Sequence, residues 1–384
     1  MYVTDRQALE ELVTRLRESD FVCMDTEFMR ERTYYPRLCL IQVASEDVIA
    51  LIDPLAFDEL EPLEDLLGDP DVVKVLHSGV QDLEIFFYRM GRVPAPVFDT
   101  QVAATLTGHP QQVGYGALVK HVTGETIDKS DTFTDWSKRP LSDTQIDYAL
   151  NDVRYLPGIY SHLREHLGAE GRLGWLEEDF ARLEDPRSYE IVPEDMWRRV
   201  KRASSLNRRQ LAVLREVVAW REREAQRRNL PRKWVFRDES LVEVARRAPK
   251  TRAELESIRG VTDKLAGRLY PAVLDAVGRG QEVPDERLPR LDSKAKRDIS
   301  EGAVGLMGAL VRFRAKQNKV AVPLLASREE LERLASGERD DSPLLSGWRR
   351  EIVGNDLLEL LEGRLSLMIG DDGIVLVPVA TDKE

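Results

Sequence analysis

Five positions carry side chains that could do chemistry on a phosphate. Asp25 and Glu27 stand two apart in CMDTEF, directly after the apolar run Phe21, Val22, Cys23, Met24. In a strand, residues i and i+2 point to one face, so both carboxylates project together. Like charges side by side at an apolar strand end are costly to desolvate. A hard divalent cation such as Mg²⁺, which takes oxygen ligands, removes that cost. Asp82 follows in HSGVQDLEIFF, at the start of a helix after an apolar strand. The crevice rule for α/β sheets puts it near a strand's carboxyl end, where sites form. Tyr148 and Asp152 lie four apart in YALNDVRYL and share a helix face. Taken singly, each has a plainer reading: two solvated acids at a strand end, a helix-start acid, a half-buried aromatic, a charge on a wet face.

The elements that must hold these residues follow from the apolar pattern. Residues 1–20 read as a helix capped by Thr4 or Asp5, with Leu9, Leu12, Val13 and Leu16 at helical spacing. Phe21–Phe28 is the first strand, and Leu38–Ala44 and Val48–Ile52 follow around the turn Ser45-Glu46-Asp47. Then come a helix at 59–67, the buried strand Val72–Leu76, a helix over Asp82–Met90, a short strand at Val97–Phe98 and a helix capped by Asp99. Strands first paired antiparallel and then alternating with helices predict a mixed α/β sheet covered on both faces. The pattern loosens over 108–124 and 129–140 until a capping box, Ser142 with Gln145, starts the helix that carries Tyr148 and Asp152. Pro157 and Gly158 are expected to break it before a further helix at 159–167, and 184–193 reads as a linker.

Beyond Asn207 the pattern is helical and recurs. Leu211–Arg228, Asp238–Arg247, Thr251–Ile258 and Thr262–Gly278 form one set; Leu306–Lys316, Ser327–Leu334 and Leu344–Leu361 form another. Tyr270, Leu274, Val277 and Gly280 align with Val353, Leu357, Leu360 and Gly363, which predicts a duplicated helical domain.

Composition bounds the rest. A chain of 384 residues, 42% hydrophobic and 32% charged, has room for two or three globular domains. Its start shows no apolar leader and no run reaches the ~18 apolar residues of a membrane span, so a soluble cytoplasmic protein is expected. Cys23 and Cys39 are too few for a disulfide framework or a zinc cluster. The net charge of −12 is unevenly spread. Residues 1–170 hold 30 acids against 15 Lys/Arg, whereas residues 197–237 hold 14 Lys/Arg against 3 acids. An acidic, metal-using part joined to a basic, phosphate-seeking part is the natural inference.

Together the five positions resemble a known set. D-x-E in a first strand, D within H-x-G-x-x-D-L, and Y-x-x-x-D on a later helix resemble the DEDD 3′→5′ exonucleases; tyrosine in place of histidine in the third motif marks the DEDDy branch. CMDTEFMRERTYYPRLCLIQVA, HSGVQDLEIF, FDTQVAA and DWSKRPLSDTQIDYALNDVRYL are similar to the ribonuclease D family across about residues 1–205. The helical duplication resembles that family's paired HRDC domains, with Pro271 where their pattern has Gly. The resemblance implies an α/β exonuclease domain over 1–195, a ribonuclease H-like mixed sheet with helices on both faces. Two small all-α bundles follow, over 196–285 and 295–380. It assigns Asp25, Glu27, Asp82 and Asp152 to two divalent cations, Mg²⁺ or Mn²⁺. Tyr148 would orient the attacking water, since a phenol with an ordinary pKa of about 10 is a poor base at neutral pH. The implied activity is removal of nucleoside 5′-monophosphates from RNA 3′ ends, with tRNA precursors as substrates and the protein acting as a monomer.

Other residues admit two readings. Phe28, Met29 and Tyr115 could stack on terminal bases or simply pack. Arg198, Arg199, Lys201, Arg202, Arg208 and Arg209 favour phosphate contact. Trp197, Trp220 and Trp234 in the same stretch read as bundle core, and His77 as a strand-end histidine. A DNA exonuclease of the same branch remains open, because RNA is told from DNA by 2′-hydroxyl contacts that sequence does not reveal. A silent RNA-binding module would need a broken acidic set, and all five positions are intact. A helicase lacks its motor: GETIDKS misses the second glycine of a P-loop.

Overall fold

The computed structural model describes residues 1–127, 134–261, 269–290, 300–340, 342–371 and 373–379. The chain divides into two compact units. The first comprises Met1–Glu27, Leu40–Asp185 and Lys296–Glu384; the second comprises Phe28–Cys39 and Pro186–Ala295.

The first unit is built on a mixed sheet. Among the described residues its strands are β1 Tyr2–Val3, β2 Phe21–Met29, β3 Arg37–Ala44, β4 Ile49–Ile52, β5 Val73–Leu76 and β6 Val97–Asp99, in the order β1-β4-β3-β2-β5-β6. β4 pairs antiparallel with β3 and parallel with β1, while β5 runs parallel to both β2 and β6. β2 thus lies inside the sheet and is buried along Phe21–Met24. Its register with β5 ends at Cys23↔Val75, so Asp25 and Glu27 run on past the carboxyl end of their parallel neighbour.

The helices of this unit are α1 (Arg6–Leu16), α2 (Glu61–Leu67), α3 (Val80–Met90), α4 (Thr100–Thr105), α5 (Tyr115–Thr123), α6 (Asp143–Arg154), α7 (Leu156–Ala169) and α8 (Glu177–Glu184). The side chain of Asp5 caps α1, and Leu9, Leu12, Val13 and Leu16 make its buried stripe. Phe21, Cys23, Val75 and Phe98 from the sheet share one hydrophobic cluster with Leu118, Val153, Ile159, Tyr160 and Leu163. The Tyr160 ring lies 4.8 Å from Phe21 and 4.9 Å from Phe98. Burial of each such side chain contributes about 1.5–3 kcal/mol. The helix breaks at Tyr155, as expected near Pro157, and the next helix starts three residues earlier than expected, with Pro157 in the first turn of α7, where its missing N–H is no loss.

The second unit gathers α9 (Arg208–Arg228), α10 (Arg232–Val235), α11 (Asp238–Arg247), α12 (Arg252–Glu256) and α13 (Tyr270–Glu282). Asn207 and Gln210 form a capping box at the start of α9, and Asn229 closes it in the left-handed region at φ 48°. Leu211, Leu214, Val217 and Val218 pack with Trp197, Leu241, Val273 and Val277. Of the tryptophans read as core, Trp197 is buried and Trp220 partly so, but Trp234 is 58% exposed. Pro271 falls in the first turn of α13, so it fits the helix start; residues 262–268 of the helix expected there lie outside the described residues.

The same order returns in α14 (Glu301–Asn318), α15 (Val322–Leu325) and α16 (Arg328–Ala335), with Lys319 repeating the left-handed cap of Asn229. These helices belong to the first unit. Val304, Met307, Leu310 and Trp348 join the cluster that contains Phe21 and Tyr160. Trp348 stacks on Trp175 at 4.9 Å, and the buried Arg349 donates to the Leu324 carbonyl at 2.7 Å and to Asp179 at 3.4 Å. The single helix expected over Leu344–Leu361 starts at Gly347, after a 3₁₀ turn at Pro343–Leu345, and runs unbroken to Leu361 with a π turn inserted at Arg350–Gly354. At Gly354 a side chain would collide with the Leu344 carbonyl, so only glycine lets these two stretches touch. Two further strands, β7 Leu365–Gly370 and β8 Gly373–Pro378, pair as an antiparallel hairpin that helical periodicity does not signal.

Candidate active site

The site forms where β2 outruns β5. Residues Phe21 and Cys23 alternate into the core, and the same face then presents Asp25 and Glu27. β5 ends at Leu76 and the chain turns through His77-Ser78-Gly79 into α3, putting Asp82 in that helix's first turn, where its charge suits the helix dipole. The turn is held by Asp99, whose carboxylate accepts from Ser78 N at 3.1 Å and Gly79 N at 2.9 Å while also capping α4. A side chain at Gly79 would strike Leu76, so the sharp turn demands glycine.

α6 brings the remaining two groups. Its capping box is formed as the sequence suggests, and Ala149 and Val153 bury its inner face. Gln145 also donates to Thr134 Oγ1 at 3.1 Å. Before the helix, Arg139 grips Asp53 at the end of β4 with contacts of 2.5 and 2.7 Å, and Tyr2 donates to the same carboxylate at 2.6 Å. Tyr115 donates to the Asn151 carbonyl at 3.1 Å and accepts from Tyr155 N at 3.3 Å, pinning α6 beside Asp152. Tyr148, four residues before Asp152, lies against Trp136 with ring centroids 6.0 Å apart.

Oxygens of Asp25, Glu27 and Asp152 all lie within 4.8 Å of one another. Asp82 is tied in by the Thr26 hydroxyl, which donates to it at 2.5 Å from between the two acids of β2. Burial, and then the charges of Asp82, Asp152 and Glu27, push the Asp25 carboxyl well above its ordinary range. Burial followed by Asp152 and Asp82 carries Glu27 up to about 8. Burial and Asp82 carry Asp152 up to about 7, and burial, opposed by the Thr26 hydroxyl, carries Asp82 to about 6. This is a donor set short of positive charge: hard oxygens, buried, mutually repelling, with the chemistry that suits Mg²⁺ or Mn²⁺.

One consequence is measurable. Below about pH 4 both folded and unfolded carboxyls hold their protons; as pH rises the unfolded ones release theirs while Glu27 and Asp152 keep theirs to about 8 and about 7. Stability from these groups is therefore lost as pH rises through that range. Between about pH 7 and 8 they dominate, because burial leaves His77 and His109 neutral below it and Lys74, lowered to about 8, titrates at its upper edge. In EDTA the melting temperature should fall from pH 7 to 8, and fall less in Asp152→Asn. A melting temperature that rises across that interval in EDTA contradicts the electrostatics described here.

The other singled-out residues separate by role. His77 is a structural group, bonded to Thr100 Oγ1 at 3.0 Å and the Val113 carbonyl at 3.1 Å. Phe28 and Met29 continue β2 directly beyond Glu27 and are half-buried. Arg198 lies over Trp197, and Arg198, Arg199, Lys201 and Arg202 are exposed. Arg208 donates to the carbonyls of Asp285 and Leu288, and Arg209 to those of Gln281 and Val283 and to Asp285 Oδ1, so Arg209 ties α9 to the end of α13 and both tie it to the segment that follows. Thr26, Asp53 and Arg139 escape a sequence reading. Thr26 could have been suspected from its place inside D-T-E, but the Asp53–Arg139 pair spans too many residues to leave a local signal.

A parallel-strand exit bearing D-x-E, joined by a helix-start aspartate and a Tyr/Asp helix face, defines a 3′→5′ exonuclease. A family model described as 3′-5′ exonuclease matches residues 1–168, and one described as HRDC domain matches residues 210–277. The chain is 45% identical over 379 residues to ribonuclease D of Granulibacter bethesdensis, covering 98% of this chain and 96% of that protein. It is 47% identical over 375 residues to ribonuclease D of Gluconacetobacter diazotrophicus, covering 97% and 94%. The crystal structure of Escherichia coli RNase D, described as an exoribonuclease involved in structured RNA processing, matches with a TM-score of 0.81 at 35% identity, over 94% of this chain and 98% of that one. The chain belongs to the ribonuclease D family. It is a metal-dependent 3′→5′ exoribonuclease, and the DNA exonuclease and silent-module readings give way to that one. Among the described residues, no helix is long and apolar enough to cross a membrane.

Proposed function

We propose that the protein trims RNA 3′ ends by hydrolysis, releasing nucleoside 5′-monophosphates, with tRNA precursors as its substrates and the monomer as the working form in the cytoplasm. Asp25, Glu27, Asp82 and Asp152 would hold two divalent cations, Mg²⁺ or Mn²⁺. The observation that carries this is the convergence of Asp25, Glu27 and Asp152 oxygens within 4.8 Å of one another, with Asp82 coupled to them through charge. When bound, a cation pair supplies positive charge to the attacking and leaving oxygens of an in-line displacement. Thr26 keeps Asp82 aimed, Asp99 keeps its turn in place, and Tyr115 holds the end of α6 beside Asp152. The Tyr148 hydroxyl orients the attacking water, and the packed ring behind it limits the angles that hydroxyl can take.

Phe28 and Met29, the residues that follow Glu27 in β2, are placed in sequence to meet a terminal nucleotide by stacking and apolar contact. Arg198, Arg199, Lys201 and Arg202 supply phosphate contacts that ignore base identity. Arg208 and Arg209 remain candidates for such contacts only if they exchange their carbonyl partners for phosphate. The exonuclease domain is taken to span 1–195 and the two helical domains 196–285 and 295–380. The test is digestion of matched RNA and DNA oligonucleotides bearing free 3′ hydroxyls, with products resolved over time. Stepwise release of 5′-mononucleotides from RNA, stopped by EDTA and restored by Mg²⁺ or Mn²⁺, is expected; internal cleavage, or activity indifferent to EDTA, overturns the reading.

A further inference from the structure

The segment Phe28–Cys39, which leaves the strand carrying Asp25 and Glu27, belongs to the second unit together with α9 and α10. The bonds that hold it there are specific, and the central one is buried. Tyr34 is 4% exposed, and its hydroxyl donates to Glu222, a residue of α9 with no exposed surface. Arg232 closes the group: its Nε lies 2.8 and 2.7 Å from the two Glu222 oxygens, its Nη2 donates to the Tyr34 hydroxyl at 3.1 Å, and its guanidinium sits 4.8 Å over the Tyr34 ring. Gln226 adds a donor to the same hydroxyl at 3.2 Å. From the end of α9, the Asn229 side chain accepts from the backbone N–H of both Tyr34 and Tyr35 at 3.0 Å. Ala225 and Val235 complete a small apolar cluster around Tyr34.

A buried phenol and a buried carboxylate, satisfied by each other and by a guanidinium that is two-thirds covered, make a demanding arrangement, worth much only when complete. A surface loop needs no such anchor. What this one fixes is the chain immediately after Glu27, including Phe28 and Met29, the continuation of the acid-bearing strand. We propose that Tyr34, Asn229, Glu222 and Arg232 are positioning residues for catalysis: the first helical domain sets the rate of the chemical step by holding the exit of β2, separately from any attraction it exerts on RNA. The inference rests on the assignment of Asp25 and Glu27 to the site.

Two full-length variants remove the anchor gently. Asn229→Gly deletes the acceptor for Tyr34 and Tyr35, yet glycine keeps the left-handed helix cap at no steric cost. Tyr34→Phe removes the hydroxyl and leaves the ring and the Glu222–Arg232 pair. Amide hydrogen exchange reads the tie directly, and single-turnover kinetics on an oligoribonucleotide give the chemical rate apart from affinity. Both variants are expected to exchange faster over Phe28–Cys39, and to lose about tenfold in single-turnover rate with little change in KM, as displacement of a reacting group by a fraction of an ångström would do. Asn229→Gln should recover less than Asn229→Asp, which keeps an acceptor oxygen at the same reach. Unchanged rates in both variants overturn the proposal, whether or not exchange rises. A raised KM with an unchanged rate also overturns it, by reducing the segment to a binding role. Activity persisting in Asp25→Asn would instead strike at the site assignment itself, so the two failures are separable.

Discussion

Asp152→Asn leaves the protein folded and removes its exonuclease activity, by on the order of 10³-fold or more. The change is nearly isosteric on α6, whose capping box, buried Ala149 and Val153, and Tyr115 contacts do not involve the carboxylate. What disappears is one of three negative oxygens within 4.8 Å of one another. In the proposed mechanism, cations held there would supply several kcal/mol of transition-state charge stabilisation, and each ~1.4 kcal/mol is tenfold in rate. Without added metal the variant should even melt higher at pH 8, because a buried charge that repelled Asp82 and Glu27 is gone. The check is single-turnover hydrolysis of end-labelled RNA at saturating Mg²⁺ alongside melting in EDTA. Turnover within tenfold of the unaltered protein would remove Asp152 from the metal site.

Tyr148→Phe is the second large effect, and a milder one: a loss of about 10²-fold in the chemical step, the low end for a positioned proton-handling group. The aromatic ring stays beside Trp136, so the fold and the carboxylate cluster are untouched. Only the hydroxyl, proposed to direct water, is lost. In the proposed role it orients water and takes no proton, so the pH–rate profile should keep its shape while the whole curve drops. An unchanged single-turnover rate makes Tyr148 a packing residue; a changed profile makes it a base.

The catalytic strand is legible in the sequence because an apolar run that ends in D-T-E obeys a period of two, and no helix would put both acids on one face after it. Asp82 and Asp152 are legible for a like reason: one starts the helix that follows an apolar strand, and the other lies on a helix whose start the Ser142–Gln145 capping box marks. Thr26 and Asp99 hide their second tasks, since a threonine beside an acid or a cap aspartate has a sufficient local explanation. Charge counting misleads where the fold consumes the charge. The basic excess over 197–237 counts Arg208 and Arg209, which bond backbone carbonyls, and Arg221, Arg223, Arg227 and Arg232, which are paired with acids. Nor can periodicity show allegiance: nothing in RERTYYPRLC states that Tyr34 seeks a glutamate 188 residues away. The π turn at Arg350–Gly354 keeps helical periodicity in the letters while breaking it in space.

The account turns on the carboxylate cluster holding a pair of cations, and equilibrium binding of Mn²⁺ followed by electron paramagnetic resonance addresses that without reference to activity. Titrated into the full-length protein near neutral pH, Mn²⁺ should bind at two sites per chain, release protons as it does so, and show the spin coupling of two ions a few ångströms apart. In Asp152→Asn that coupled signal should vanish. A protein that binds no Mn²⁺, or a coupled pair that survives in Asp152→Asn, contradicts the account.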